Sequence, residues 1–296
     1  MTILFAQFDM DRSISGYFYR SGAGWYLGKE PLWAWLHKKG TIPGIVLSVG
    51  CLLLWLLSYY VSSLKSWRKP FLVVVLTTVL AAGLLVNAIL KQYWGRPRPS
   101  QTIEYGGQWE YRPIFPPGTP GKGASFPCGH CTMGFVFLAT AAFYPRSKSL
   151  AVGGVTTGLV LGGLLSAARI VQGAHFTSDT VWSFGLVGIT AAGLMVWLPE
   201  PREKAGAEPT AQGKKKRLWL TVATLLAVLV MAGGFLTRRP FYTTHNYPLS
   251  LSAEANTINI QMERDPERLT VLYAKQQQAE LKVDAHGFGW HKFHYK

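Results

Sequence analysis

A chain of 296 residues that is 49% apolar and only 15% charged is too poor in charge for an ordinary soluble domain, where about a quarter of residues are charged. Its net charge of +15 is mostly spread over the flanks of long apolar runs instead of gathered into one motif or face, which speaks against nucleic acid as a partner and for a polytopic membrane protein. Three cysteines, Cys51, Cys128 and Cys131, are too few for a disulfide framework, and four-ligand zinc spacing is absent.

Residues 1–40 carry Asp9, Asp11, Arg12, Arg20, Lys29 and Glu30, so they lack the uninterrupted apolar core of a secretory signal. Their many aromatics, among them Phe5, Tyr17, Trp25, Trp33 and Trp35, suggest amphipathic helices lying at a membrane interface, with His37 beside them. Six apolar segments follow near 43–63, 70–90, 130–145, 149–171, 178–198 and 218–237, against about 20 residues needed to cross a bilayer. The third is short and holds Thr132, Gly134 and Thr140. The glycine pairs at 153–154 and 162–163 suit close helix packing. The linker Pro199–Gly213 is charged and rich in Pro, Ala, Glu and Gly. Beyond it, alternation in Ile258–Met262, Leu269–Tyr273 and Leu281–Val283 predicts short antiparallel strands. The expected fold class is an all-α polytopic membrane bundle of about six transmembrane helices over 41–237, with a small β-rich extramembrane module over 238–296.

Loop charge sets the expected orientation. Lys65, Arg68 and Lys69 lie between the first two spans, Arg146 and Lys148 between the third and fourth, and Arg202, Lys204 and Lys214–Arg217 between the fifth and sixth. These three loops share one side, which should be cytoplasmic. Loops 91–129 and 172–177 and the tail from Arg238 then face outward. Lys38 and Lys39 run against the rule.

The outward loops hold polar residues that orientation does not explain. Lys91 precedes Gly95-Arg-Pro-Arg-Pro99, Ser125-Phe-Pro-Cys-Gly-His130 opens the third span, and Arg169 precedes Gly173-Ala-His175 and Asp179. Ionisable groups at membrane depth default to a functional reading. Cys128-Gly-His-Cys131 has dithiol spacing, but a Gly/Pro-rich loop precedes it where a redox site would have a strand. Lys91, Arg98 and Arg169 suit the non-bridging oxygens of a phosphate, and backbone N–H groups near Cys128 and Gly129 add donors. His175 and Asp179, four apart, share a helical face, so the carboxylate can orient an imidazole nucleophile while His130 serves as acid. The aromatic and proline-rich loop Gln101–Gly123 joins two of these stretches, as a lid over a lipid headgroup or as an ordered loop. Tail histidines His245, His286, His291 and His294 lack neighbouring ligands, so neither metal nor other cofactor is expected.

These three blocks resemble the type-2 phosphatidic acid phosphatase superfamily, with its Lys-x6-Arg-Pro, Pro-Ser-Gly-His and Ser-Arg-x5-His-x3-Asp patterns. Lys91 to Arg98-Pro99 matches the first; Pro127-Cys-Gly-His130 matches the second with Cys128 for serine; Ala168-Arg169, His175 and Asp179 match the third with Ala168 for serine. The resemblance spans roughly 43–198. It implies a membrane phosphatase that needs no metal, with His175 forming a phosphohistidine, His130 acting on the leaving group and Arg98 binding phosphate. The thiol of Cys128 would be a weaker donor than a hydroxyl, with Ser125 placed to compensate. The implied setting is a bacterial-type inner membrane with the active site outward. The implied substrate is a lipid phosphate or pyrophosphate; phospholipid, isoprenoid and lipid A phosphates all stay open. Phosphate transfer to another lipid is one alternative, and a non-catalytic binder or transporter of anionic lipid is another.

Overall fold

The computed structural model describes residues 2–199, 219, 222, 226, 240–250, 268–273 and 278–288. Among them, four helices are long and apolar enough to cross a membrane: Pro31–Leu57, Ser62–Tyr93, Lys148–Val171 and Thr177–Trp197. Two short helices, α1 (Thr2–Gln7) and α2 (Met10–Tyr17), precede them.

The first long helix is built from α3 (Pro31–Lys39) and α4 (Ile42–Leu57). Each has proline in its first turn, where the missing N–H has no helical partner in any case. Helix α3 falls within the expected interfacial segment and leads through Gly40 and Thr41 into the apolar α4. The second long helix starts as a tight turn over Ser62–Trp67 and continues as α5 (Arg68–Thr77). It widens to i→i+5 bonding over Thr78–Leu90 and closes with α6 (Lys91–Tyr93). The expected third span is a shorter apolar helix, Gly129–Phe143, opening with α7 (Gly129–Phe135). Helices α8 (Lys148–Val171) and α9 (Thr177–Trp197) sit within a residue of the fourth and fifth expected spans. The sixth, near 218–237, lies outside the described residues apart from Trp219, Val222 and Leu226. A count of six spans is thus not established.

Packing explains the layout. Phe71, Val73, Val74 and Val75 of α5 are all buried, so this helix runs through the middle of the bundle. Trp55, Val136, Ala139, Phe143 and Ala191 close around it. Val46, Val49 and Leu53 of α4, Val152, Leu159 and Val160 of α8, and Ile189 and Val196 of α9 point outward, where a bilayer would solvate them. Helices α7 and α8 approach to backbone contact: a Cβ on Gly134 would stand 2.6 Å from the Gly162 Cα.

Strands β1 (Pro240–Ser250), β2 (Arg268–Tyr273) and β3 (Gln278–Phe288) pair antiparallel in the order β1-β3-β2. The expected strand at Ile258–Met262 lies outside the described residues. This backbone pairing alone does not support a separate module over 238–296.

Candidate active site

Every element that carries a singled-out residue ends at the same rim of the bundle. The second long helix delivers Lys91 in its last turn, and an extended stretch then carries Arg96 and Arg98. Helix α7 begins just before His130; α8 ends with Arg169, and α9 starts just before Asp179. Between α8 and α9, Gly173 has φ 62°, and the space a Cβ would need is filled by the Trp25 ring at 2.1 Å. Only glycine suits that turn. The N–H groups of Ala174 and His175 donate to the Arg169 carbonyl at 3.0 and 3.3 Å, and Ser100 N–H donates to the Gly173 carbonyl at 2.9 Å. His175 is thereby fixed over the end of α8.

Asp179 organises the buried half of the site. Its Oδ2 accepts from Ser125 Oγ at 2.6 Å and from the Phe176 N–H at 2.9 Å, and its Oδ1 accepts from Arg96. His175 Nδ1 stands 3.6 Å from Oδ2, an ion-pair approach longer than a hydrogen bond, and has no hydrogen-bond partner. Arg96 also donates to the Arg112 carbonyl at 2.9 Å, to Ser178 Oγ at 2.9 Å and to Asp11 Oδ2 at 2.7 Å. Asp11, Arg96, His175 and Asp179 are each at most 1% exposed. Burial works against the charge on Arg96, but the carboxylates of Asp179 and Asp11 outweigh it and hold the guanidinium above its ordinary pKa. Burial dominates at His175, lowering its pKa to about 4 although Asp179 pulls the other way, so the imidazole is neutral at pH 7.

The cations form the other half of the site. The charges of Lys91 and Arg169 are felt at both His130 and His175, and Arg98 interacts with Lys91 and Arg169. Burial lowers the pKa of Arg98, partly offset by Asp179. Arg169 donates to Gln172 Oε1 at 2.6 Å, while its buried Nε has no partner. Gly129 lies against Asn87, whose Oδ1 would be 2.5 Å from an added Cβ, so the residue beside His130 must stay small. Lys91, Arg98, Gly129, His130, Arg169, His175 and Asp179 thus come together as one constellation.

Two expected donors are committed elsewhere. Cys128 is joined to Cys131 by a disulfide, with Cα atoms 5.4 Å apart, so it carries no thiol to offer a phosphate. Its Sγ also accepts from the Cys131 N–H at 3.3 Å, and both residues are fully buried. Ser125 is fully buried too, and its hydroxyl donates to Asp179 in place of compensating at Cys128. The disulfide staples the entry to α7. Replacing both cysteines by alanine is expected to lower stability by about 2 kcal/mol, the entropy of so short a loop, read as earlier thermal unfolding of the detergent-solubilised chain.

Three participants escape a reading of the sequence. Arg96 reads there only as a neighbour of Arg98. Its commitment to Asp11, Asp179, Ser178 and the Arg112 carbonyl comes from contacts 16 to 85 residues away in sequence. Asp11 reads only as an interruption of an apolar core. His37, expected at the interface, has its ring 5.0 Å from that of His130. The loop 101–123 is tied to the site: Trp94 Nε1 donates to the Ile114 carbonyl at 2.7 Å, Gly118 N–H to the Trp94 carbonyl at 2.9 Å, and the Arg112 carbonyl accepts from Arg96.

The family described as the PAP2 superfamily matches residues 71–204. A lipid A 4'-phosphatase of Francisella tularensis subsp. novicida (strain U112) is 30% identical over 177 residues, covering 59% of this chain and 79% of the relative. A lipid A 4'-phosphatase of Rhizobium leguminosarum is 33% identical over 118 residues, 39% of this chain and 50% of that protein. One from Rhizobium etli is 34% identical over 113 residues, 36% of this chain and 42% of the relative. No solved structure matches.

Proposed function

The chain belongs to the PAP2 superfamily, and from that premise we propose that it is an integral membrane phosphatase, removing a phosphate monoester from a lipid through a phosphohistidine on His175. One observation carries this reading: a fully buried histidine stands beside a carboxylate and within the field of cations from two separate helices, Lys91 and Arg169, with Arg98 next to both. Lys91, Arg98 and Arg169, with the Gly129 N–H, bind the non-bridging oxygens and offset the charge that builds during transfer. With Nδ1 toward Asp179, the lone pair on His175 Nε2 attacks phosphorus as the bond to the leaving oxygen breaks. His130 gives that oxygen its proton, then takes one from the water that hydrolyses the phosphohistidine. Asp179 stabilises the imidazolium form between the two steps.

The lipid A 4'-phosphatase relatives point to a phosphorylated lipid A sugar as substrate class. The disulfide supports an outward-facing site in a bacterial inner membrane, because such bonds persist in oxidising compartments. The test is phosphate release from purified lipid phosphates: 4'-phosphorylated lipid A, phosphatidate, phosphatidylglycerophosphate and undecaprenyl pyrophosphate. Lipid A is expected to be fastest, and preference for a glycerol or isoprenoid phosphate would overturn the substrate class. Activity is also expected to persist in EDTA. Side-chain cations supply the charge here, and among the described residues no trio of His, Cys, Asp or Glu is placed to hold a metal. Loss of activity in EDTA, restored by a divalent ion, would count against the mechanism.

A further inference from the structure

We propose that Asp11 of the N-terminal helix α2 is a positioning residue for the nucleophile, holding Arg96 in the orientation that keeps Asp179 beneath His175. The inference rests on the phosphohistidine reading for the identity of the nucleophile. The geometry is its own. Asp11 Oδ2 accepts from Arg96 at 2.7 Å and from Ser178 Oγ at 2.5 Å, and Oδ1 accepts from the Ser178 N–H at 2.9 Å. Ser178 lies next to Asp179 in the first turn of α9, and its hydroxyl also receives Arg96 at 2.9 Å. Asp11 therefore grips both the guanidinium and the helix turn that presents the carboxylate.

The fork of Arg96 has three directions, and each is filled: Nε to the Arg112 carbonyl, one terminal nitrogen to Asp11, the other to Asp179 and Ser178. A planar fork held at two ends has its third end aimed. Removing Asp11 frees the end opposite Asp179, and the guanidinium can turn about the remaining contacts. Charge points the same way. Asp11, Arg96 and Asp179 together carry one net negative charge, buried beside an imidazole that becomes cationic when phosphorylated. Without the charge of Asp11 the cluster is neutral, and the full attraction of Arg96 falls on Asp179. Asp11 thus preserves the negative potential that His175 needs, and it makes the N-terminal segment part of the catalytic assembly. The segment is docked accordingly: Tyr105 Oη donates to the Arg12 carbonyl at 2.7 Å, and Arg12 pairs with Asp9 at 2.7 Å.

The test is a double-mutant cycle on the full chain in detergent, with 4'-phosphorylated lipid A and, free of lipid recognition, para-nitrophenyl phosphate as substrates. Asp11→Asn is expected to lower kcat about 10- to 100-fold, the scale of one charge-assisted contact felt in the transition state, with KM changed far less. Because Asp11 acts through Arg96, the Asp11→Asn/Arg96→Gln double variant should be no slower than Arg96→Gln alone, within about threefold. Should Asp11→Asn not accumulate as folded protein, Ser178→Ala removes only the hydroxyl shared by Asp11 and Arg96, and a kcat loss of roughly 3- to 10-fold is expected. Wild-type kcat in Asp11→Asn, losses that multiply in the double variant, or wild-type kcat in Ser178→Ala overturns the proposal and leaves Asp11 a mere staple. If wild type turns over neither substrate, the phosphatase reading falls and this inference with it. Turnover by wild type with an unaffected cycle sinks the inference alone.

Discussion

Replacing His175 by alanine is expected to reduce phosphate release by roughly 10⁴-fold or more, the scale seen when a covalent nucleophile is removed. His130 sits at the rim against His37 and has no carboxylate partner among the described residues, whereas His175 stands 3.6 Å from Asp179. His130→Ala is expected to cost about 10²- to 10⁴-fold and to leave a protein that still accumulates phosphohistidine when the leaving group is good. Acid-labile phosphate on His130 in the His175→Ala protein would reverse the two roles. Acid tolerance gives a second readout. Because burial lowers the pKa of His175 to about 4, its neutral form is present above that value and is lost as pH falls through it. Phosphohistidine formation from a good leaving group is therefore expected to show no decline from this residue near the ordinary histidine value of about 6.5. A decline of that step with a midpoint near the ordinary value, still present in the His130→Ala protein, would contradict a buried neutral nucleophile.

Much of this site was legible because its residues are costly where they stand. Lys91, Arg98, Arg169, His130, His175 and Asp179 lie at or beside the ends of apolar runs, where an ionisable group needs a purpose. The expected helical face shared by His175 and Asp179 is not what pairs them: His175 precedes the first residue of α9, Thr177, and the turn ahead of the helix brings its ring to the carboxylate. Helices α8 and α9 were legible as uniform apolar stretches of spanning length. What stayed hidden depends on side-chain direction. Nothing in the sequence separates Arg98 from Arg96, two residues apart, because only long-range contacts commit Arg96 to Asp11, Asp179 and the Arg112 carbonyl. Ser125 resembles a phosphate donor until its full burial against Asp179 is seen. Asp11 resembles a solvated acid in an amphipathic segment, since the contacts that bury it reach Arg96, 85 residues along the chain, and Ser178, 167 residues along. Cys128 and Cys131 could be free thiols or a bond by sequence, and their 5.4 Å Cα separation admits the bond.

Asp179→Asn is expected to slow phosphate release by about 10²- to 10³-fold and to lower stability as well, because asparagine cannot satisfy the donors that converge on this carboxylate. Oδ2 accepts from Ser125 Oγ at 2.6 Å and from the Phe176 N–H at 2.9 Å, and Oδ1 accepts from Arg96. An amide placed with its nitrogen at the Oδ2 position sets two N–H groups against the Phe176 N–H. The flipped amide sets them against the Arg96 guanidinium. Either way a fully buried donor faces a donor, and Arg96 keeps only Asp11 as a charged partner. Breaking a buried pair costs about 3–5 kcal/mol when the remaining charge is uncompensated; with Asp11 still bound to Arg96, a smaller loss of about 1–3 kcal/mol is expected here. The kinetic loss has a separate origin, since the neutral amide has no charge to stabilise the imidazolium of phosphorylated His175. Ser125→Ala separates the two. It removes one hydrogen bond from Asp179 and leaves the carboxylate charged, so it should lower stability by about 1 kcal/mol and slow turnover by no more than about tenfold. Thermal unfolding and kcat measured on the two variants in the same detergent decide the matter. If Asp179→Asn unfolds early yet turns over within about threefold of wild type, the carboxylate is architectural and His175 needs no charged partner. If Ser125→Ala proves as slow as Asp179→Asn, the hydroxyl itself reaches the substrate and the phosphate contacts must be redrawn around it.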